Sequence, residues 1–128
     1  MNFSFDLDGT ITCHPEVFQA LGRALIAAGH SVVILTGIPR SYFDGIRKDK
    51  YPFLRDTSWY QEVITSDMYN DNEKSLANKV IEGKMDNRDL VGIYKRRVCK
   101  ERDIAVHFDD DYEHVFAKDG VPVFGICR

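Results

Sequence analysis

A chain of 128 residues, 44% hydrophobic and 29% charged, is sized and composed as one globular domain spanning 1–128. Its formal net charge of −3 gives no whole-molecule field to attract nucleic acid or an anionic membrane. No apolar run approaches the ~20 residues that a membrane span needs.

The first residues, Met1 to Asp6, lack the basic and long apolar regions of a signal peptide, so none is expected. Cys13, Cys99 and Cys127 are odd in number and scattered, which argues against a disulfide framework and for a reducing cytoplasm. No Cys-x-x-Cys or His-x-x-x-His spacing supports a zinc site at Cys13 and His14. On composition alone, Arg47-Lys48-Asp49-Lys50 and Lys95-Arg96-Arg97 read as solvated basic faces.

Short apolar runs alternate with amphipathic stretches, the pattern of strand–helix units. Asn2 to Phe5 predicts a first strand. Glu16 to Ala28 predicts a helix with Val17, Phe18, Leu21, Leu25 and Ala28 on one face, stopped by Gly29. Ser31 to Leu35 is continuous and β-branched, as a strand buried on both faces should be. A second helix is expected near Pro39, since proline suits a first helical position. The stretch from Lys50 to Asn72 is the least readable, with a short strand at Glu62 to Thr65. Helices are predicted over Glu73 to Ile81 and Leu90 to Arg102, and strands over Ile104 to Phe108 and Val121 to Ile126. The fold class is therefore α/β: a three-layer, doubly wound, Rossmann-like sheet of about five mostly parallel strands.

Ligands of such sheets bind beyond the carboxyl ends of the strands. Asp6-Leu7-Asp8-Gly9-Thr10 follows the first strand, Thr36-Gly37 the second, and Asp109-Asp110-Asp111 the fourth. Four carboxylates, Asp6, Asp8, Asp109 and Asp110, thus converge on one rim. Like charges so close need compensation, and magnesium suits carboxylates plus a phosphate oxygen. Thr36 and the Gly37 backbone offer uncharged donors for a phosphate, and Lys95 could complete the charge balance. Lys100 is the alternative lysine, but a residue nearer the start of its helix lies closer to the strands' carboxyl rim. Asp111 is expected to cap a following helix.

These segments resemble the four signatures of the haloacid dehalogenase superfamily. Asp6-Leu7-Asp8-Gly9-Thr10 resembles the first, Val32 to Gly37 the second, Lys95 the third, and Val106-His107-Phe108-Asp109-Asp110 the fourth. Their order is right and they span most of the chain, with Lys95 to Asp110 most similar to small nucleotidase-like members. The resemblance implies a Mg²⁺-dependent phosphatase. Asp6 would be the nucleophile and Asp8 the general acid and base. Thr36, Gly37 and Lys95 would hold the phosphate, and Asp6, the Asp8 backbone carbonyl and one of Asp109 and Asp110, with Asp110 preferred, would hold the metal. Dehalogenases of the superfamily generally lack the second aspartate, so Asp8 favours phosphoryl transfer.

Only 57 residues, 38 to 94, separate Gly37 from Lys95, too few for a full cap domain beside the core's own elements. An open site is expected, with Met68 to Asn72 as a candidate lid. Capless members often act on large substrates or take cover from a neighbouring subunit, so a homo-oligomer is one expectation. The phosphorylated substrate is left open among nucleotide, sugar phosphate, phosphoprotein and nucleic-acid end.

Two other readings compete. A receiver-type signalling domain shares the length, acidic pair and phosphorylated aspartate, but its lysine follows a late strand whereas Lys95 precedes the acidic one. A relative that binds phosphate compounds or a protein without turnover would keep the same residues.

Overall fold

The computed structural model describes residues 1–111 and 123–125. Five strands form one all-parallel sheet: β1 (Asn2–Phe5), β2 (Ser31–Leu35), β3 (Glu62–Ile64), β4 (Ile104–Asp109) and β5 (Val123–Gly125), in the order β3-β2-β1-β4-β5. Among the described residues four α-helices lie between them: α1 (Pro15–Ala27), α2 (Arg40–Lys50), α3 (Asp71–Ile81) and α4 (Asn87–Glu101). The last predicted strand is seen over Val123–Gly125. Its remainder, and the helix that Asp111 was expected to cap, lie outside the described residues. Among the described residues no helix is long and apolar enough to cross a membrane.

The two faces of the sheet carry separate cores, because successive strand residues point to opposite sides. Phe5, Val32 and Ile34 pack with Phe18 of α1, Phe43 of α2 and the connecting residues Tyr51, Leu54 and Trp59. Leu35, Ile64 and Ile104 pack on the other face with Tyr94, Val98 and Cys99 of α4. Helices on both faces make three layers, the doubly wound architecture expected.

The helix boundaries have local causes. Pro15 sits in the first turn of α1, and the amides of Gly29 and His30 close its end on the carbonyls of Ile26 and Leu25. Phe18, Leu21 and Leu25 of the expected face of α1 pack on the core, but Val17 is 60% exposed, Ala28 is exposed, and Gly22 is buried instead. Gly22 decides this: a Cβ there would lie 2.2 Å from the Trp59 carbonyl, so only glycine lets the helix approach that closely. Asn70 and Glu73 form a reciprocal capping box at the start of α3. Asp86 caps α4, which begins three residues earlier than its apolar pattern suggested.

The unreadable middle resolves into two short 3₁₀ turns, Pro52–Arg55 and Ser66–Met68, around β3. Its aromatic residues are core: Trp59 and Tyr51 are almost wholly buried, and Tyr60 donates its hydroxyl to the Leu54 carbonyl.

Candidate active site at the switch point of the sheet

The strand order reverses direction at β1, with β2 and β3 to one side and β4 and β5 to the other. A crevice opens beyond the carboxyl ends of β1 and β4 at such a point. Asp6 directly follows β1 there, its amide bonded to the Phe108 carbonyl at 2.9 Å, and Asp109 closes β4.

Register explains which side chains meet. Ser4 pairs with His107 and Phe5 with Phe108 across β1 and β4. The phenylalanines turn to the α1 face. Ser4 and Asp6, with His107 and Asp109, therefore turn to the α4 face. All four are buried, and they form a polar ladder: Ser4 Oγ lies 2.7 Å from His107 Nδ1, and His107 Nε2 lies 2.8 Å from Asp109 Oδ2. Burial holds His107 below its ordinary pKa despite the carboxylate beside it. The neutral ring accepts from Ser4 at Nδ1 and donates to Asp109 from Nε2.

Lys95 closes the ladder from α4. Its Nζ donates to Asp6 Oδ1 at 2.6 Å and to Asp109 Oδ2 at 2.8 Å, and the side chain is 4% exposed. It is not a solvated cation, as the basic run around it suggested, nor does it stand at the helix start. It lies in the middle of α4, on the same face as Cys99, which packs against Ser4. Lys100 is exposed in the last turn and outside the crevice.

The loop after β1 brings the remaining carboxylates. Leu7–Ile11 forms a tight turn broken at Asp8 and Gly9. Gly9 has φ +82°, and a Cβ there would collide with the Asp110 carboxylate at 2.4–2.8 Å. Glycine is thus needed both for the left-handed backbone and for the space Asp110 fills. Buried Thr10 ties the two loops together: its Oγ1 accepts from the Asp110 amide at 2.9 Å and lies 3.3 Å from Asp6 Oδ2.

Carboxylate oxygens of Asp6, Asp109 and Asp110 lie within 4.8 Å of one another. Burial and the Asp109 charge lift the Asp6 pKa well above the usual range against the pull of Lys95. Asp109 is lowered instead, because Lys95 and His107 outweigh its burial. Lys95 pairs with two of the three, Asp6 and Asp109. An all-oxygen donor set of this kind fits a hard divalent cation such as Mg²⁺.

Asp8 stands apart from this cluster. Its carboxylate accepts from Tyr51 Oη at 2.8 Å, with Lys50 Nζ at 3.5 Å, and its side chain is 43% exposed. It reaches the same crevice, a cleft of about 240 Å³ lined also by Asp6, Thr36, Gly37, Lys95, Asp109 and Asp110. Every expected site residue therefore borders one cleft. Size alone would not have found it, since a hollow of about 350 Å³ lies over Arg47, Lys48 and Arg55. No protein-family model matches the chain, and no curated protein matches it in sequence.

Met68 to Asn72 does not line the cleft. Tyr69 packs edge-on against Tyr94, Arg97 donates to the Met68 carbonyl at 2.6 Å, and Asn70 caps α3. These contacts make the segment a fixed brace between helices rather than a lid. Asn87 and Val91 of α4 border the cleft instead. Sequence reasoning missed Ser4, His107 and Tyr51. The first two were legible only through the β1–β4 register, and Tyr51 carries no motif.

Proposed function

We propose that this chain is a phosphate-monoester hydrolase of the haloacid dehalogenase type, working through an aspartyl-phosphate on Asp6. The observation that carries the reading is the cluster of Asp6, Asp109 and Asp110 with one buried ammonium, at the crevice where such sheets bind ligands. The four segments that resemble the superfamily's signatures are the segments whose residues meet there.

In the first step an Asp6 oxygen bonds to phosphorus as the bond to the ester oxygen breaks, and Asp8 gives that oxygen its proton. In the second, Asp8 takes a proton from water as the water oxygen bonds to phosphorus. The acyl-phosphate bond breaks, Asp6 regains its carboxylate, and inorganic phosphate leaves. Asp8 suits the acid–base role because its half-exposed carboxylate faces the cleft outside the carboxylate cluster. Thr36 and Lys95 bind the non-bridging oxygens, and Lys95 also orients Asp6. Asp6, the Asp8 carbonyl and Asp110 would hold Mg²⁺, since Asp109 already accepts from Lys95, His107 and the Asp111 amide. When bound, the ion keeps Asp6 ionised and neutralises charge on the transferring group.

The receiver alternative fares worse. Flavodoxin-like receivers order their strands 2-1-3-4-5, whereas the order here is β3-β2-β1-β4-β5.

The test is p-nitrophenyl phosphate hydrolysis with Mg²⁺ or EDTA, comparing the native protein with Asp6→Asn of matched circular dichroism. Activity that needs the metal and disappears with Asp6 is expected. Equal turnover in the two proteins would remove Asp6 as nucleophile.

A further inference from the structure

The basic run on α2 has no part in the chemistry above, and its placement gives it one. Arg47, Lys48 and Arg55 line a single hollow of about 350 Å³ with Tyr51 and Pro52. That volume is in the range of small-ligand clefts, roughly 300–1,000 Å³. Among the described residues no carboxylate is paired with Lys48 or Arg55, although the chain as a whole is acidic at −3. The nearby Asp56 is taken by Arg23 at 2.6 Å. Arg47 is held in place, its guanidinium 5.4 Å over the Phe43 ring. Three cations around one concavity, none of them ion-paired to a carboxylate among the described residues, suit an anion.

One side chain connects a residue of the cleft with the hollow. Tyr51 lines it and donates its hydroxyl to Asp8, and Lys50, 5.5 Å over the same ring, reaches Asp8 as well. Asp8 is the group that protonates the leaving oxygen in the mechanism above. The hollow thus lies within one tyrosine side chain of Asp8.

We infer that the substrate is a phosphate monoester whose leaving group carries a second phosphate, received by Arg47, Lys48 and Arg55. This inference rests on the phosphatase reading and names its substrate class. Two sources share that chemistry, a small bisphosphate and a phosphorylated nucleic-acid end, in which the next backbone phosphate occupies the hollow.

The test compares kcat/KM for a nucleoside 3′,5′-bisphosphate and a 5′-phosphorylated dinucleotide with that for the nucleoside 5′-monophosphate. At least one doubly charged substrate is expected to exceed the monophosphate by tenfold or more, and which one does so separates the two sources. In the Lys48→Ala/Arg55→Ala protein the ratio should fall towards one, chiefly through KM. Lys84→Ala, on a lysine paired with Glu82, controls for loss of charge and should keep the ratio. A ratio near one for both substrates in the native protein, or a preference that survives the double substitution, overturns the inference while leaving p-nitrophenyl phosphate hydrolysis intact. Loss of the phosphatase reading would show differently, as turnover indifferent to Asp6→Asn or absent altogether. Calorimetric binding of the bisphosphate to Asp6→Asn protein then decides: binding abolished by the double substitution upholds the anion site, and binding unaffected by it overturns it.

Discussion

Replacing Lys95 with methionine isolates the electrostatics of the cluster, because methionine keeps most of the apolar stem and removes only the charge. The ammonium stands 2.6 Å from Asp6 and 2.8 Å from Asp109, all three groups nearly inaccessible to water. At an effective dielectric of about 20, each contact is worth about 6 kcal/mol before desolvation. Burying the ions costs several kcal/mol apiece, so the net worth of the triad is far smaller than that sum. Truncating one partner is a different matter: Asp6 and Asp109 keep their desolvation and lose its compensation. The expected loss is about 3–5 kcal/mol in EDTA, read from urea unfolding followed by circular dichroism. For a domain of this size that is roughly a 10–20 °C drop in Tm. If the cluster holds Mg²⁺, saturating Mg²⁺ should recover more stability in Lys95→Met than it adds to the native protein, about 2.7 kcal/mol at one hundred times Kd. A loss below about 1 kcal/mol in EDTA would refute the argument, since it would mean the two carboxylates do not depend on Lys95.

Gly22→Ala sets two effects of opposite sign against each other. Alanine gains up to about 1 kcal/mol of helix propensity, but its Cβ would meet the Trp59 carbonyl at 2.2 Å, a backbone atom that cannot swing aside. Net destabilisation of about 1–3 kcal/mol is expected by denaturant unfolding, and a stabilised variant would show that α1 does not seat on that turn. Tyr51→Phe removes the hydroxyl that holds Asp8. It should cost about 1 kcal/mol or less in stability, yet lower kcat on p-nitrophenyl phosphate several-fold, and unchanged kcat would mean Asp8 is positioned without it. The alkaline limb of stability should be steep. Burial pushes the Cys99 thiol up to about 11 and raises Tyr51, Tyr60, Tyr69 and Tyr94 as well. Folded values above unfolded ones mean stability that is full below the unfolded values, near 8.5 for cysteine and 10 for tyrosine, and lost as pH rises through them. The urea midpoint should fall between pH 8 and 11, and a flat profile there would contradict the burial of these groups.

The sequence by itself determined the alternation of strands and helices, because each strand must be apolar where helices cover both faces and each helix needs one apolar stripe. It also determined where polar residues gather, since Asp6, Thr36 and Asp109 each stand at or just beyond the carboxyl end of an apolar run. Those are local properties, carried by period and punctuation. What the tertiary structure decided was pairing. Ser4 and His107 are unremarkable in their own strands, and only the β1–β4 register sets them 2.7 Å apart beneath Asp109. Lys95 and its basic neighbours look alike along the chain, and the packing of α4 on the sheet buries one and leaves Lys100 exposed. Gly22 breaks an apolar stripe on paper and anchors it in space, because the partner that requires its small size, Trp59, lies 37 residues away. Met68 to Asn72, polar enough to read as a loop over the cleft, is instead tied to α4 by Arg97 and Tyr94. In each case the deciding contact is long-range, and no local pattern carries the energy of a contact its residues make only after the chain has folded.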